Sequence, residues 1–428
     1  MEETKIYKFS ELCSKIGSGA TPKGGKESYL GGNIALIRSQ NVLDFNFSVD
    51  GLAYINNEQA QKLNNVSIEE NDVLLNITGD SVARACMAPS WILPARVNQH
   101  VAIIRGNADL VLNDYLLYFL QYKKSYLLSI SQGGATRNAL TKRMIEDIEL
   151  LLPNLSHQRK VVSILRSLDS KIELNRRIND NLEQQAQALF KSWFVDFEPF
   201  RSGKFVESEL GMIPEGWHIG VPNDIIISTL SGDWGKEKQQ GNYTKKVSCI
   251  RGADIPYIKM GEKGNMPTRF ILEKNYQSKV LTPDDLVIEI SGGSPTQSTG
   301  RICRISQALL ERYNNSIICT NFCKAIKPTL EYSSYLYHLW KMLYKLGIMF
   351  SYENGTTGIK NFDINGFAQK EQIIIPPKEI VYAFKQIIET FYVKIQTNGI
   401  ESEQLTKTRD TLLPRLMSGE LNTNDLNS

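Results

Sequence analysis

The 428-residue chain repeats itself, and no other feature restricts its fold as tightly. Ile37-Arg38-Ser39-Gln40-Asn41-Val42 matches Ile250-Arg251-Gly252-Ala253-Asp254-Ile255 at an offset of 213 residues. At the same offset, Asn71-Asp72-Val73-Leu74-Leu75-Asn76-Ile77-Thr78-Gly79 matches Asp284-Asp285-Leu286-Val287-Ile288-Glu289-Ile290-Ser291-Gly292. Each reads as an acidic turn, a buried strand rich in branched residues, and a polar glycine turn. Helical stretches follow, Tyr115 to Leu128 and Tyr335 to Phe350. They lead into the turns Gly134-Ala135-Thr136-Arg137-Asn138 and Gly355-Thr356-Thr357-Gly358-Ile359. Strands then run to proline, Ile148 to Pro153 and Ile373 to Pro376. The offset has become 223, so the second copy carries about ten extra residues, most of them assigned to Gly293 to Asn315.

The 223 offset persists through a helix. Positions Val161, Leu165, Leu168, Ile172, Asn175, Asn179, Leu182, Ala186, Leu189 and Trp193 form one seam. Their mates are Phe384, Ile388, Phe391, Ile395, Asn398, Ser402, Leu405, Arg409, Leu412 and Leu416. Steps alternate between four and three residues, the repeat of a coiled coil. One such helix could equally be an amphipathic core helix; two with the same seam and the same polar break point to a pair. The fold class expected is α+β: a tandem repeat of two mixed α/β domains, each followed by a long helix, with the helices packing as an antiparallel coiled coil. The domains read as 1–152, a helix 153–198, a linker 199–217 rich in Gly and Pro, a second domain 218–376, a helix 377–420 and a tail 421–428. Packed antiparallel, the seams would set Asn179 opposite Asn398 and Asn175 opposite Ser402. Such a polar layer costs stability and pins register.

Hydrophobic residues make up 42% of the chain and charged residues 22%, the composition of a globular, soluble protein. No apolar run approaches the roughly 18 residues of a membrane span. The opening MEETKIYKFS lacks the apolar core of a secretory signal, and six cysteines do not suggest a disulfide scaffold, so a cytosolic protein with reduced thiols is expected. Net charge is +3, divided as −1 for 1–152, +1 for 153–200, +4 for 201–376 and −1 for 377–428. That is too small for a whole-domain basic footprint. Nucleic-acid binding would need basic residues gathered on one face, or partners that share the electrostatic work.

Enzyme signatures fail on inspection. A methyltransferase needs a Gly-rich cofactor loop and an Asn/Asp-Pro-Pro-aromatic motif, but the one Pro-Pro, Pro376-Pro377, lies between Ile375 and Lys378. Gly19 to Ser28 superficially suggests a phosphate loop, yet Ala20 stands where the first Gly belongs and no strong apolar strand leads in. Pro283-Asp284 with Glu289 nearly makes a metal-dependent nuclease core, but Ser291 replaces the lysine and Asn76 takes the place of Glu289 in the first copy. Cys319 and Cys323 have no second pair to complete a zinc site, and His100, His157, His218 and His338 are scattered. No catalytic residue and no metal ligand is assigned.

Several segments resemble the specificity subunits of Type I restriction-modification systems. Gly19-Ala20-Thr21-Pro22 followed by Tyr29-Leu30-Gly31-Gly32-Asn33-Ile34 is similar to the opening of their first recognition domain. LRSLDSKIELNRRINDNLEQQAQALFKSWFVDFEPF, Leu165 to Phe200, is similar to their central region. Glu209-Leu210-Gly211-Met212-Ile213-Pro214-Glu215-Gly216-Trp217 resembles the entry into their second domain, and Leu412-Leu413-Pro414-Arg415-Leu416-Met417-Ser418-Gly419-Glu420 their closing motif. The resemblance covers the whole chain and is weakest inside the two domains.

The resemblance implies a non-catalytic DNA-binding protein of the prokaryotic cytoplasm, with a role in phage defence. Each domain would read half of a bipartite double-stranded DNA target, and the helices would set the spacing between halves. Two modification subunits would dock on the helices and methylate adenine from S-adenosylmethionine; restriction subunits would add ATP- and Mg-dependent translocation and cleavage. This chain would bind none of those cofactors. A coiled-coil scaffold without sequence-specific DNA binding is the alternative, and it leaves two similar domains without a job.

Sequence readout needs Arg, Lys, Asn and Gln at base edges and polar groups on phosphates. The turns after the matched strands supply the candidates. In the first copy they are Arg38, Ser39, Gln40, Asn41, Thr78, Arg84, Arg137 and Asn138. In the second they are Arg251, Lys259, Ser291, Thr296, Gln297, Arg301, Thr356 and Lys360. The aromatics of Trp193-Phe194-Val195-Asp196-Phe197 either mark a protein interface or pack against the chain's own domain.

Overall fold

A computed structural model describes residues 4–22, 29, 31–132, 138–292, 297–355 and 359–421. The chain divides into two compact units, residues 1–170 with 405–428, and residues 171–404. Both boundaries fall inside long helices, Leu155–Phe194 and Lys378–Met417.

Each unit carries the same pair of sheets. In the first, a four-stranded antiparallel sheet runs in the order Cys13–Ser18, Val101–Gly106, Val73–Asn76, Ala85–Met87. In the second, the order is Ile226–Ser231, Cys323–Pro328, Leu286–Glu289, Ile302–Arg304, again antiparallel. A three-stranded sheet accompanies each. Ile34–Ile37 pairs antiparallel with Ala53–Ile55 and parallel with Ala95–Val97. Tyr243–Ile250 does the same with Thr268–Leu272 and Ile317–Cys319. A two-stranded ribbon closes each unit, Lys5–Lys8 with Glu149–Leu152, and His218–Gly220 with Ile373–Ile375.

The matched strands at Val73 and Leu286 explain why this topology recurs. Side chains of a strand alternate between faces, so a strand buried on both sides must be apolar throughout. Val73 and Leu75 join the core that contains the first unit's helices, whereas Leu74 joins the core of the three-stranded sheet. In the second unit Leu286 and Ile288 face one core and Val287 the other. Each strand is entered through a left-handed residue, Asn71 at φ 64° and Asp284 at φ 71°, which short polar side chains tolerate best. Close approach fixes another matched pair: a Cβ on Gly19 would lie 1.7 Å from the Val97 carbonyl oxygen, and one on Gly232 would lie 2.0 Å from that of Thr320.

Strand pairing also locates the extra residues of the second copy. The offset is 213 at Asn76 and Glu289, 217 at Ala85 and Ile302, and 222 at Ile104 and Ile326. The insertion is therefore split, part between Glu289 and Ile302 and part before Ile317–Cys319, which includes the short helix Gln307–Glu311.

Within each unit the two helical segments run antiparallel. In the first, Val161 and Leu165 are fully buried in a core with Leu413, Leu416 and Met417. In the second, Ile172 and Ala186 on one helix and Ile388 and Ile395 on the other are buried, with Leu182, Leu189 and Phe391 partly so. Leu168, Leu405 and Leu412 are half-buried. The seam drifts toward its end: Phe190 and Phe194 are the buried residues there rather than Leu189 and Trp193. A helix of 3.6 residues per turn leaves a strict 3.5 repeat by about 20° per heptad, enough to bring the next position to the core. Phe194 packs at 4.9 Å from Phe384, 5.0 Å from Tyr335 and 5.9 Å from Trp217, and Phe197 at 5.4 Å from Trp217. These aromatics belong to the second unit's own core, which decides between the two roles open to them.

Candidate nucleic-acid interface

Three turns converge in each unit. The first follows the strand Ile34–Ile37 or Tyr243–Ile250 as a short 3-10 turn, Ser39–Asn41 or Gly252–Asp254. Its closing residue folds back: Arg38 N donates to Asn41 Oδ1 at 3.0 Å, and Arg251 N donates to Asp254 Oδ2 at 3.0 Å. The second turn leaves Val73–Asn76 or Leu286–Glu289, and the third is Asn98 to His100 or Thr320 to Phe322. Ile77 N donates to the His100 carbonyl at 3.0 Å, as Ile290 N does to that of Phe322 at 2.9 Å. Asn76 ties the first turn by donating to the Ser39 carbonyl at 2.8 Å. In the second unit a carboxylate takes that place, since a Cβ on Gly252 would meet Glu289 Oε1 at 2.3 Å.

The proposed contact residues divide on this geometry. Asn41 is fully buried, and its amide donates to the carbonyls of Ser48 at 2.9 Å and Asp50 at 3.2 Å. It braces the turn and cannot reach a base edge, which corrects its assignment as a contact. Gln40 is exposed beside it and donates to the Asp50 carbonyl at 3.0 Å. Arg38 donates to the Gly51 carbonyl and lies 5.7 Å from the Tyr29 ring, with its Nε buried and unpartnered. Ser39 offers its carbonyl to Asn76, Thr78 Oγ1 sits 2.6 Å from His100 Nδ1, and the Asn138 carbonyl accepts from Gly79 N at 2.9 Å. Arg137, Thr296 and Thr356 lie outside the described residues.

Arg84 and Arg301 occupy matched places, each offering its carbonyl to the strand residue Asn76 or Glu289. Arg301 is held by both Glu289 oxygens, at 2.6 and 2.7 Å, and that hydrogen bonding raises its pKa. Arg84 has Asn76 in place of the carboxylate, and its side chain makes no hydrogen bond or ion pair among the described residues. Arg251 is likewise paired, with Asp254 at 3.0 Å, and Lys360 with Glu353 at 2.8 Å. Ser291 sits in a short strand opposite Asn361. Lys259, Gln297 and Arg301 come together on one cleft. Arg251 and Ser291 line a second, with Trp234, Thr320, Asn321 and Phe322.

The third turn escaped the sequence reading. Its exposed tips are Gln99 and Asn321, one amide in each unit, of the type that reads adenine in two hydrogen bonds. Beside Asn321, Phe322 is 62% exposed, and Trp234 carries the Arg269 guanidinium at 3.8 Å from its ring.

The helix pair of the second unit holds a buried polar layer. Asn398 Nδ2 donates to Asn179 Oδ1 at 2.8 Å, and Asn175 Nδ2 lies 3.3 Å from Ser402 Oγ. Asn175 also donates to Glu401 at 2.8 Å, which lowers that carboxyl's pKa, and Asn179 donates to the Met260 carbonyl at 2.9 Å. Gly261 and Gly399 meet there, for a Cβ on Gly399 would lie 2.3 Å from the Gly261 carbonyl oxygen.

Burial raises the pKa of Cys13, Cys86, Cys249 and Cys323 to about 12, and also raises those of Cys303 and Cys319, so none is a ready nucleophile at neutral pH. Among the described residues no group of three or more His, Cys, Asp or Glu is placed to hold a metal ion, and no helix is long and apolar enough to cross a membrane.

Residues 1–184 match the family model of the Type I restriction modification DNA specificity domain. The chain is 27% identical over 436 residues to the Type I restriction enzyme MjaIX specificity subunit of Methanocaldococcus jannaschii, covering 98% of this chain and 94% of that one. It is 26% identical over 461 residues to the HindI specificity subunit of Haemophilus influenzae, covering 91% and 94%. A crystal structure of a Type I S subunit from M. genitalium aligns over 97% of this chain and 96% of that chain with a TM-score of 0.48 at 16% identity. Residues 1–184 thus resemble a specificity domain of the Type I class, and the second unit repeats the first unit's sheet orders. Over nearly its full length the chain is similar to specificity subunits of Type I restriction enzymes.

Proposed function

We propose that each unit reads one half of a bipartite duplex DNA target, and that the chain serves as the specificity subunit of a Type I restriction-modification complex. The observation that carries this reading is the doubled set of three turns. It sets exposed Gln40 and Gln99, with Arg84 free of partners among the described residues, on one unit, and Asn321, Ser291 and Phe322 on the other. Amide and hydroxyl groups read base edges, while cations hold phosphates and fix orientation without reading sequence. A scaffold that did not read DNA would have no use for two copies of such turns.

Chemistry in this reading belongs to partners. Two modification subunits transfer a methyl group from S-adenosylmethionine to the N6 of adenine, and restriction subunits use ATP and Mg for translocation and cleavage. This chain supplies position, with the helix pair setting the gap between half-sites. The test is to replace residues 1–152 with the first domain of a relative and to map methylated adenines in cells that also carry the modification partner. One half of the methylated sequence should change and the other should stay; alteration of both halves would overturn the modular reading. The purified chain alone, given labelled S-adenosylmethionine and target DNA, should transfer no methyl group.

A further inference from the structure

Leaving out the long helices, the two domain segments differ in charge, −1 for residues 1–152 against +4 for residues 201–376, and part of the excess is gathered in one place. A cleft of about 360 Å³ in the second unit is lined by Lys259, Arg301, Lys341 and Lys345, with Gln297 and Tyr344. Two of the four cations are offset: Arg301 by Glu289 and Lys341 by Glu183. Lys259 and Lys345 make no hydrogen bond or ion pair with the described residues. Lys259 is half-buried, and it also lines a neighbouring cavity. Burial, with the Lys341 and Arg301 charges nearby and against the opposing pull of Glu183, holds its pKa below the ordinary lysine range. A cation kept largely desolvated without an ion-pair partner among the described residues raises the free energy of the empty cleft, and an anion entering it would relieve that cost.

The first unit has Arg84 at the place matched to Arg301 but lacks the two helix lysines. At the helix offset of 220, Lys341 and Lys345 correspond to Gln121 and Ser125. Gln121 is committed to the Ala85 carbonyl at 2.8 Å and to Asp44 at 3.2 Å.

We propose that this cleft is a phosphate anchor for the backbone of duplex DNA, specific to the second unit, with Lys259 and Lys345 as its two phosphate-binding cations. It lies beside the second unit's three turns, since Arg301 lines the cleft while its partner Glu289 lines the turn-side cleft. A phosphodiester bound here would fix the register of the duplex against Asn321 and Ser291 and would itself carry no sequence information.

The inference rests on the DNA-reading function, so the test uses the full chain in complex with its modification partner, on a target duplex and on one with both half-sites scrambled. Lys259→Met and Lys345→Ala should each weaken binding several-fold on both duplexes alike. Each should reduce the slope of log affinity against log salt by about 1, with the double variant losing about 2. Lys259→Arg should restore the slope, and the methylated sequence should stay the same in all of them. Should Lys259→Met fold poorly, Lys345→Ala reads the same slope from an exposed position. Unchanged affinity and slope in variants of a complex that still prefers its target would overturn the anchor alone. A changed methylated sequence would also overturn it, by making these residues base readers. A wild-type complex with no preference between the duplexes would instead refute the DNA-reading function. Inorganic phosphate at constant ionic strength supplies the remaining arm: if it protects Lys259 from acylation while neither variant alters duplex binding, the cleft is a free-anion site and the duplex assignment fails.

Discussion

The two units tie a matched short helix to the long helices at the same point with different chemistry. Tyr118 and His338 each occupy the sixth position of the matched helices Asn113–Tyr122 and Ser333–Lys345. Their partners Asp169 and Tyr392 stand 223 residues apart, on the two long helices. In the first unit Tyr118 donates to Asp169 at 2.6 Å; Asp169 also pairs with Arg409 at 2.7 Å, whose guanidinium lies 3.8 Å from the Phe45 ring. Burial works against the Arg409 charge, but its hydrogen bonds to Asp169 and Asp410 outweigh that and raise its pKa. In the second unit the tie is neutral: His338 Nε2 lies 2.7 Å from Tyr392 Oη, and Nδ1 lies 3.0 Å from Gln187 Oε1. The position matched to Arg409 is Ala186, buried among apolar residues. One backbone therefore accepts either a charged or a neutral tie, provided that every member of it is satisfied.

The difference should appear first in what each tie loses when one member is removed. Asp169→Ala leaves Arg409 largely buried with only Asp410, itself 57% exposed, and leaves the Tyr118 hydroxyl without its acceptor. Breaking a buried ion pair from one side costs about 3 kcal/mol. Tyr392→Phe in the other unit removes a bond between neutral groups and should cost about 1 kcal/mol. Urea titrations of the two variants should show that ranking, and equal losses would mean that the charge contributes nothing beyond an ordinary hydrogen bond.

A smaller loss than that of Asp169→Ala is expected at the second unit's polar layer. Asn398→Leu strands the Oδ1 of buried Asn179 between the helices, at a cost of about 2 kcal/mol. The Asn179 amide keeps the Met260 carbonyl, so the loop against Gly399 should stay in place. A loss under about 0.5 kcal/mol, measured by the same titration, would show that the layer relaxes freely.

How far the sequence reveals this molecule depends on whether a residue's partner lies at a fixed distance along the chain. The strands at Val73 and Leu286 are legible because burial on both faces demands an unbroken apolar run. The pairing of Asn179 with Asn398 follows from two periodic seams, whereas the shift from Trp193 to Phe194 does not, because it comes from helical drift. The third turn was invisible, since Gln99 and Asn321 match at an offset of 222, between the 213 and 223 that the motifs display. Nor could sequence separate Arg84 from Arg301, which differ only because Asn76 and Glu289 lie beside them in space. Asn41 looked like a reader because its side chain suits adenine; burial, which local sequence does not reveal, makes it a brace.

The neutral tie should also make the second unit sensitive to acid. His338 is fully buried, and its pKa lies well below the ordinary histidine value, mainly through burial and then through the Lys341, Arg304 and Lys259 charges. The groups facing its ring are Gln187 on the first long helix, Tyr392 and Phe384 on the second, Phe190, and Tyr337 on its own helix. None of them offers a carboxylate to stabilise an imidazolium. Between the depressed folded pKa and about 6.5, the unfolded chain binds a proton that the folded chain does not, so stability falls as pH drops below about 6.5. The loss approaches about 1.4 kcal/mol per pH unit while the folded ring stays neutral. His338→Gln keeps a neutral side chain with a donor and an acceptor near the same partners. It should cost some stability at pH 7.5 and flatten the decline from pH 6.5 to 5. The first unit's tie has no histidine, so a shallower slope in the variant assigns the difference to His338. If wild type and variant lose stability in parallel across that range, the acid sensitivity comes from elsewhere, and the two ties differ in charge without differing in their response to protons.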